Sequence, residues 1–304
     1  MTDRFIMILL LIALGYTLKR IGYVKGADAK VITTLVLNVT LPAVVIVNLN
    51  GVTLTPELSL LPILMVLYGL MTKLIVILLF IKYNNEVRGT VAMLMASLNI
   101  GIFAYPLVQQ MWPKKGLLYF GMADIGGAVL MFGLTYFIAG YFKNAEGTLN
   151  LKTIFLSCLK SIPLMTYIVM IVLSLCAIKL PPITITFFDL LGKANLPLSM
   201  LLLGILLDFK IERRFLPLTF KYIGMHYGLG LVFGSLVHVF LPVSDDMIKT
   251  TLQLIWVLPV GVAALSYAVQ FQYRTLPMIA MASNMTVVIS ICILYIYQHF
   301  FLVT

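Results

Sequence analysis

The sequence predicts an all-α polytopic membrane protein, in which ten transmembrane helices form two inverted five-helix repeats with broken, crossing helices 4 and 9. Three observations lead to this fold class: the apolar composition, the spacing of the hydrophobic runs and the recurrence of prolines in both halves. Of the 304 residues, 62% are hydrophobic and 11% are charged, and the mean hydropathy is +1.07. A soluble domain of this size could not bury so much apolar surface, whereas a chain embedded in lipid requires it.

Ten hydrophobic runs are long enough to cross a membrane. A span needs about 20 mainly apolar residues, and clusters of charge, glycine and proline separate one run from the next. The candidate spans are residues 5–21, 31–49, 58–81, 90–111, 117–142, 161–178, 184–207, 218–240, 249–270 and 277–301. The sixth span is short, so the count depends most on it.

The distribution of basic residues predicts the orientation. The formal net charge is +10, and most Lys and Arg residues fall in the odd-numbered loops, which connect spans 1 and 2, 3 and 4, and so on. By the positive-inside rule these loops are cytoplasmic, so both termini are extracytoplasmic in a multi-pass protein of the plasma membrane. The basic excess thus reflects topology and contact with membrane lipid, and no nucleic-acid partner is expected. Lys19 and Arg20 follow the first apolar run, which indicates a first span and no cleavable signal peptide.

The chain divides into two halves of five spans each. The polar stretch at 143–152 separates a first repeat, residues 1–145, from a second, residues 146–304. Three proline pairs recur at nearly equal separations: Pro42 and Pro197, Pro62 and Pro217, and Pro106 and Pro259. An odd number of spans per repeat inserts the second copy in the opposite orientation, as in many secondary transporters.

Prolines predict interruptions in the fourth and ninth spans. Pro106 lacks an N–H group and clashes with a carbonyl of the preceding turn, which costs a continuous helix about 3 kcal/mol. Pro259 does the same in the ninth span. The two breaks are expected to meet near the membrane midplane, where the positive ends of half-helices suit an anionic substrate.

Five sequence motifs, taken in their order along the chain, carry a family resemblance. They are LGYTLKRIGYV (14–24), LVLNVTLPAVV (35–45), NIGIFAYPL (99–107), PLSMLLLGILL (197–207) and LPVGVAALSYAVQFQY (258–273). Together they resemble the auxin efflux carrier family, which includes plant auxin exporters and bacterial permeases for malate, malonate and similar organic anions. The resemblance covers nearly the whole chain. One departure is Val269-Gln270-Phe271, where relatives often carry a charged residue.

The resemblance implies a secondary transporter of a small organic anion that works by an elevator-type movement. Spans 1, 2, 6 and 7 would form a scaffold and a homodimer contact, and spans 3–5 and 8–10 a transport domain. The substrate-binding candidates lie around the crossing: Asn99, Tyr105, Pro106, Pro259, Gly261 and Ser266. No cofactor and no metal are expected.

Three ionisable residues within spans are candidates for coupling or charge compensation. Asp124 is the sole carboxylate deep in a span, and a charge at that depth is costly unless it has a role. The sequence leaves its role open between a proton carrier and a structural partner, either of Lys73 or of a freed backbone group. Lys73 and His226 fall within one residue of each other when the repeats are aligned. Lys73 could balance Asp124 or attract an anion, and His226 could titrate near neutral pH. Either side chain could instead snorkel or satisfy backbone carbonyls.

Other function classes fit the sequence less well. A sodium-coupled symporter of the bile-acid type shares ten spans and a crossover, and it would need polar cation ligands near both breaks. A non-transporting sensor has no supporting domain. An enzyme is not expected, because a lone Asp124 and dispersed histidines supply no paired carboxylates, nucleophile with its base, or metal ligands. Either a proton or sodium is open as the coupling ion.

Overall fold

The computed structural model describes residues 2–113, 115–143, 156 and 159–301. In the first half, these residues form helices α1 (Thr2–Arg20), α2 (Gly26–Leu49), α3 (Pro56–Leu79), α4 (Asn85–Leu94), α5 (Tyr105–Met111) and α6 (Gly116–Tyr141). In the second half they form α7 (Ile162–Leu175), α8 (Pro182–Leu206), α9 (Arg213–Phe240), α10 (Asp246–Ile255), α11 (Val262–Gln270) and α12 (Leu276–Phe301). The described residues contain no β-strand beyond one isolated bridge.

Six of these helices are long and apolar enough to cross a membrane: α2, α3, α6, α8, α9 and α12. The chain is therefore a polytopic helical membrane protein, as its composition predicts. The predicted fourth and ninth spans each correspond to two short helices, α4 with α5 and α10 with α11. Helix α7 is also short in the described residues, so the ten-span count and the inverted repeat stay predictions.

The interruptions in the fourth and ninth spans lie side by side. Leu98 and Val260 form an antiparallel bridge. The Asn99 N–H donates to the Pro259 carbonyl over 2.8 Å, and the Gly261 N–H donates to the Ser97 carbonyl over 2.7 Å. Two irregular segments thus satisfy each other's backbone groups, which lipid could not do.

The first interruption is also conformationally unusual. Ala96 has a φ of 54°, which lies in the left-handed region that non-glycine residues seldom adopt. Such backbone persists only where its surroundings hold it, and it tends to occur at functional sites. The backbone of the first interruption therefore has a defined conformation that the surrounding structure holds in place.

Pro106 does not mark the interruption of the fourth span, contrary to the sequence prediction. The irregular segment comprises residues 95–99, and Pro106 lies within α5. A π-helical turn, Ile100–Ala104, directly precedes α5. Hydrogen bonds there reach five residues back, so the ordinary helical ladder is already shifted and the missing N–H of Pro106 does not end the helix.

The pairing of Pro106 with Pro259 is wrong for the same reason. Pro259 lies one residue before its bridge residue, Val260, whereas Pro106 lies eight residues after Leu98. The two prolines therefore do not occupy equivalent places at the two interruptions. Only Pro259 belongs to an interruption.

The proline pair in α2 and α8, by contrast, lies near a direct contact. Thr40 Oγ1 donates to Asn195 Oδ1 over 3.0 Å in the buried interior. Each residue lies two positions before a proline, Pro42 in α2 and Pro197 in α8. Positions that the predicted repeat alignment pairs thus meet at this point.

Helices α1 and α8 approach each other closely at glycines. A Cβ atom on Gly204 would lie 2.0 Å from the Ile12 carbonyl oxygen, and one on Gly15 would lie 2.2 Å from that of Leu201. Only glycine permits backbones at this separation, a common device for helix packing in membranes.

Candidate functional site

A cavity of about 410 Å³ lies beside the paired interruptions. Residues of α2, α6, the start of α7 and both irregular segments line it. Most of the lining is apolar, and the polar side chains are Asn38, Asn99, Tyr105, Asp124, Lys160 and Ser161. A largely apolar cavity with a few convergent polar groups is the usual form of a small-molecule site.

Asn99 contributes an available amide to this cavity. Its backbone N–H is occupied by Pro259, and its side chain is 9% exposed. Among the described residues, no hydrogen bond involves that side chain. A carboxamide has two N–H donors and one carbonyl acceptor. Asn99 can therefore donate to an oxygen of a bound molecule.

Asp124 is held against the cavity wall by a tyrosine. The buried Tyr105 hydroxyl donates to Asp124 Oδ2 over 2.5 Å. The Tyr105 ring lies 5.6 Å from that of Tyr167, whose hydroxyl donates to the Leu117 carbonyl over 3.2 Å. In the described part of the chain Asp124 forms no ion pair. Its carboxyl group is thus oriented by one neutral donor.

Lys73 is not the partner of Asp124. Its ammonium group, on α3, donates to the Ala92 carbonyl over 2.9 Å and to the Met95 carbonyl over 2.5 Å. The side chain is 1% exposed. The last carbonyls of a helix have no partner within it and carry partial negative charge, so a cation is stabilising there. Of the roles that the sequence leaves open for Lys73, the structure shows hydrogen bonding to backbone carbonyls at the end of α4.

His226 supports the second interruption in a similar way. Its Nε2 atom lies 2.9 Å from the carbonyl oxygen of Leu258. The ring is fully buried between two tyrosines, with centroids 5.7 Å from Tyr222 and 4.8 Å from Tyr227. Lys73 and His226, one in each half, thus both bind backbone of an interruption and neither lines the cavity.

The predicted site residues divide into two groups. Asn99, Tyr105, Asp124 and Gly261 line the cavity together. Pro106, Pro259, Ser266, Lys73 and His226 are not among its lining residues. A Cβ atom on Gly261 would lie 3.0 Å from the Leu98 carbonyl oxygen, so the crossing itself requires a small residue there.

Sequence reasoning missed three polar residues of the cavity. Asn38 lies in a π-helical turn of α2, Val36–Thr40, and Lys160 and Ser161 come just before α7. Asn38 lies in the same sequence motif as Pro42, residues 35–45, so its membership of that motif could have marked it as a candidate. Nothing in the sequence connects Lys160 with Asn99, because only the tertiary structure brings their segments together.

Comparison with known sequences identifies relatives over most of the chain. The family described as membrane transport protein matches residues 2–298. An uncharacterized transporter of Methanothermobacter thermautotrophicus is 25% identical over 217 residues, which cover 70% of each chain. An uncharacterized transporter of Methanocaldococcus jannaschii is 26% identical over 219 residues, covering 68% of this chain and 69% of the relative.

Proposed function

The chain belongs to the membrane transport protein family, which is the auxin efflux carrier family, and from this premise we propose a secondary transporter for a small organic anion, such as a carboxylate. The observation that carries the proposal is the cavity of about 410 Å³ beside the paired interruptions. Interrupted helices that expose backbone dipoles near the midplane are the usual substrate sites of such transporters.

The chemistry of the cavity favours an anion with an apolar part. The Asn99 amide and the Lys160 ammonium group supply donors, and most of the remaining lining is apolar. Asn99 precedes the helical turn that starts at Ile100, and Gly261 precedes α11. The N-terminal ends of two helices therefore lie at the cavity. Their partial positive charge stabilises a bound anion.

The proposed movement is that of an elevator. Helices α1, α2, α7 and α8 would form the scaffold, which also offers a homodimer contact, and α3–α6 with α9–α12 the transport domain. Asn38 of α2 lines the cavity from the proposed scaffold, and Asn99 and Asp124 line it from the proposed transport domain. An elevator mechanism requires a substrate site between the two domains, because the transport domain carries the substrate past the scaffold. The contact between Thr40 and Asn195 supports an inverted repeat, because residues that the repeat alignment pairs would meet on its pseudo-two-fold axis.

We propose a proton as the coupling ion, bound at Asp124. A sodium ion would need several oxygen ligands around one point, whereas a proton needs a single carboxyl group, and Asp124 supplies one at the cavity. A carboxyl group that faces a cavity and pairs with no cation is the better carrier.

Uptake by reconstituted vesicles tests the proposed function. Labelled monocarboxylates, dicarboxylates and indole acids would be offered to vesicles that contain the purified chain. Asn99→Ala should lower uptake of the accepted anion on the order of tenfold, because a hydrogen bond to a charged group is lost. Asn48→Ala is the matched control, since the Asn48 amide bonds within α2 to the Val44 carbonyl. Full uptake by the Asn99 variant would contradict the assignment of the cavity.

A further inference from the structure

A second cavity, of about 510 Å³, lies away from the first, between α3, the start of α4 and the end of α6. One part of its lining is polar and comes from Lys73, Asn85 and Arg88. Among the described residues, no acidic side chain lines it. The transport site described above does not use this cavity.

Arg88 has a positive charge that no carboxylate among the described residues balances. Its guanidinium carbon lies 5.3 Å from the centre of the Phe142 ring, and its Nε atom is buried without a hydrogen-bond partner. The carboxylate of Glu86 has other partners: it pairs with Lys143 at 3.2 Å and accepts a hydrogen bond from the backbone N–H of Arg274. It does not pair with Arg88. A buried guanidinium donor without an acceptor is costly, so the site is suited to an external anion.

Lys73 adds to the positive potential at the same end. Its ammonium group has three donors, and the Ala92 and Met95 carbonyls take two of them. Asn85, in the first turn of α4, adds a side-chain amide. The polar end of the cavity therefore presents donors and, within the part of the chain that the structure describes, no acidic group.

The remaining walls of the cavity face the surface that lipid covers. Leu70 is 47% exposed and Leu74 is 58% exposed on α3, and Tyr141 is 62% exposed on α6. Apolar side chains on the outside of spanning helices contact acyl chains. The cavity thus joins a cationic end, next to the loop before α4, to an apolar groove open to the bilayer. That loop is cytoplasmic by the charge distribution.

We propose that this cavity binds an anionic glycerophospholipid of the cytoplasmic leaflet. The headgroup phosphate accepts hydrogen bonds from Arg88 and Asn85, and one acyl chain lies along Leu70 and Leu74. The charges are complementary, because that leaflet is rich in anionic lipid and a guanidinium group binds phosphate in a bidentate manner. All the lining residues belong to α3, α4, α6 and the residue that follows α6, so the lipid occupies a site apart from the transported anion.

Native mass spectrometry of the full chain in neutral detergent tests the lipid site. The protein is titrated with phosphatidylglycerol, with phosphatidylcholine of the same acyl chains, and with glycerol 3-phosphate. We expect phosphatidylglycerol to bind Arg88→Gln about tenfold more weakly than the unchanged chain, because a charge-assisted bidentate contact is lost. Lys82→Gln is the matched control: Lys82 is exposed in the loop before α4 and does not line the cavity. It should bind as the unchanged chain does.

A second variant keeps the test decisive if Arg88→Gln does not fold. Leu74→Trp places a bulky ring in the groove from an exposed position and should weaken phosphatidylglycerol binding with Arg88 intact. Equal phosphatidylglycerol binding by the folded variants and the unchanged chain overturns the proposal. Equal binding of phosphatidylcholine also overturns it. Competition by glycerol 3-phosphate at the same concentration as the lipid would show a phosphate site and overturn the lipid assignment.

Discussion

At the scale of single residues, the hydrogen bond from Tyr105 to Asp124 defines the chemistry of the first cavity. If Asp124 carries the coupling proton, Asp124→Asn mimics the protonated state, because it keeps the shape of the side chain and removes its charge. We expect accumulation driven by a pH gradient to be abolished, while substrate exchange and binding persist. Uptake by vesicles with an imposed pH gradient measures the accumulation, and a counterflow assay on the same vesicles measures the exchange.

The control for this prediction is Asp189→Asn. Asp189 is exposed and pairs with Lys193 at 2.9 Å, so its loss should leave both assays unchanged. Gradient-driven accumulation that survives in Asp124→Asn would eliminate this carboxyl group as the coupling site. A joint loss of stability, binding and exchange would instead indicate that Asp124 is structural.

At the scale of elements, the end of α4 depends on Lys73. Lys73→Met takes away the hydrogen-bond donor that the Ala92 and Met95 carbonyls share, at a side chain that is 1% exposed. We expect the free energy of unfolding to fall by about 1–3 kcal/mol, the cost of a buried unsatisfied polar group. Thermal unfolding in detergent measures it, with Lys30→Met, an exposed position of α2, as the control. Equal melting temperatures for both variants would contradict the capping role.

The contact of α1 with α8 gives a second prediction for elements. Gly204→Ala would place a Cβ atom 2.0 Å from the Ile12 carbonyl oxygen, so the two helices must separate. We expect a fall in melting temperature and less folded protein in the membrane. Gly224→Ala is the control, because a Cβ atom on this residue of α9 would meet no atom within 4 Å beyond its chain neighbours and the nearby backbone of its own helix. Alanine there should be neutral or stabilising by about 0.5–1 kcal/mol, since glycine weakens a helix. Similar behaviour of both variants would refute close packing at Gly204.

At the scale of the whole molecule, the charge distribution predicts that both termini are outside the cell. Single cysteines at residues 3 and 303, in a chain freed of its own three cysteines, should react with an impermeant thiol reagent added to intact cells. Single cysteines in place of Lys82 and Lys210 should react only after the membrane is opened. Labelling of a terminus from the cytoplasmic side alone would refute the ten-span, inverted topology.

The sequence predicts the molecule best where local pattern decides the outcome. Composition alone indicates the polytopic helical class, and Pro259 indicates the second interruption correctly. The position of the first interruption was not predictable from Pro106, because a π-helical turn absorbs that proline. Likewise, the choice of Lys73 between Asp124 and backbone carbonyls depends on which helix end packs against α3. The sequence pattern within one helix does not indicate which helix end packs against α3.

The paired interruptions also bear on how members of this family can diverge. Backbone atoms hold the crossing, through the reciprocal hydrogen bonds of Asn99 with Pro259 and of Gly261 with Ser97. A change of side chain at 99 leaves its N–H and the crossing in place, whereas a larger residue at 261 meets the Leu98 carbonyl. If the cavity is the substrate site, selection can therefore alter the cargo by single substitutions at the cavity wall, without rebuilding the crossing.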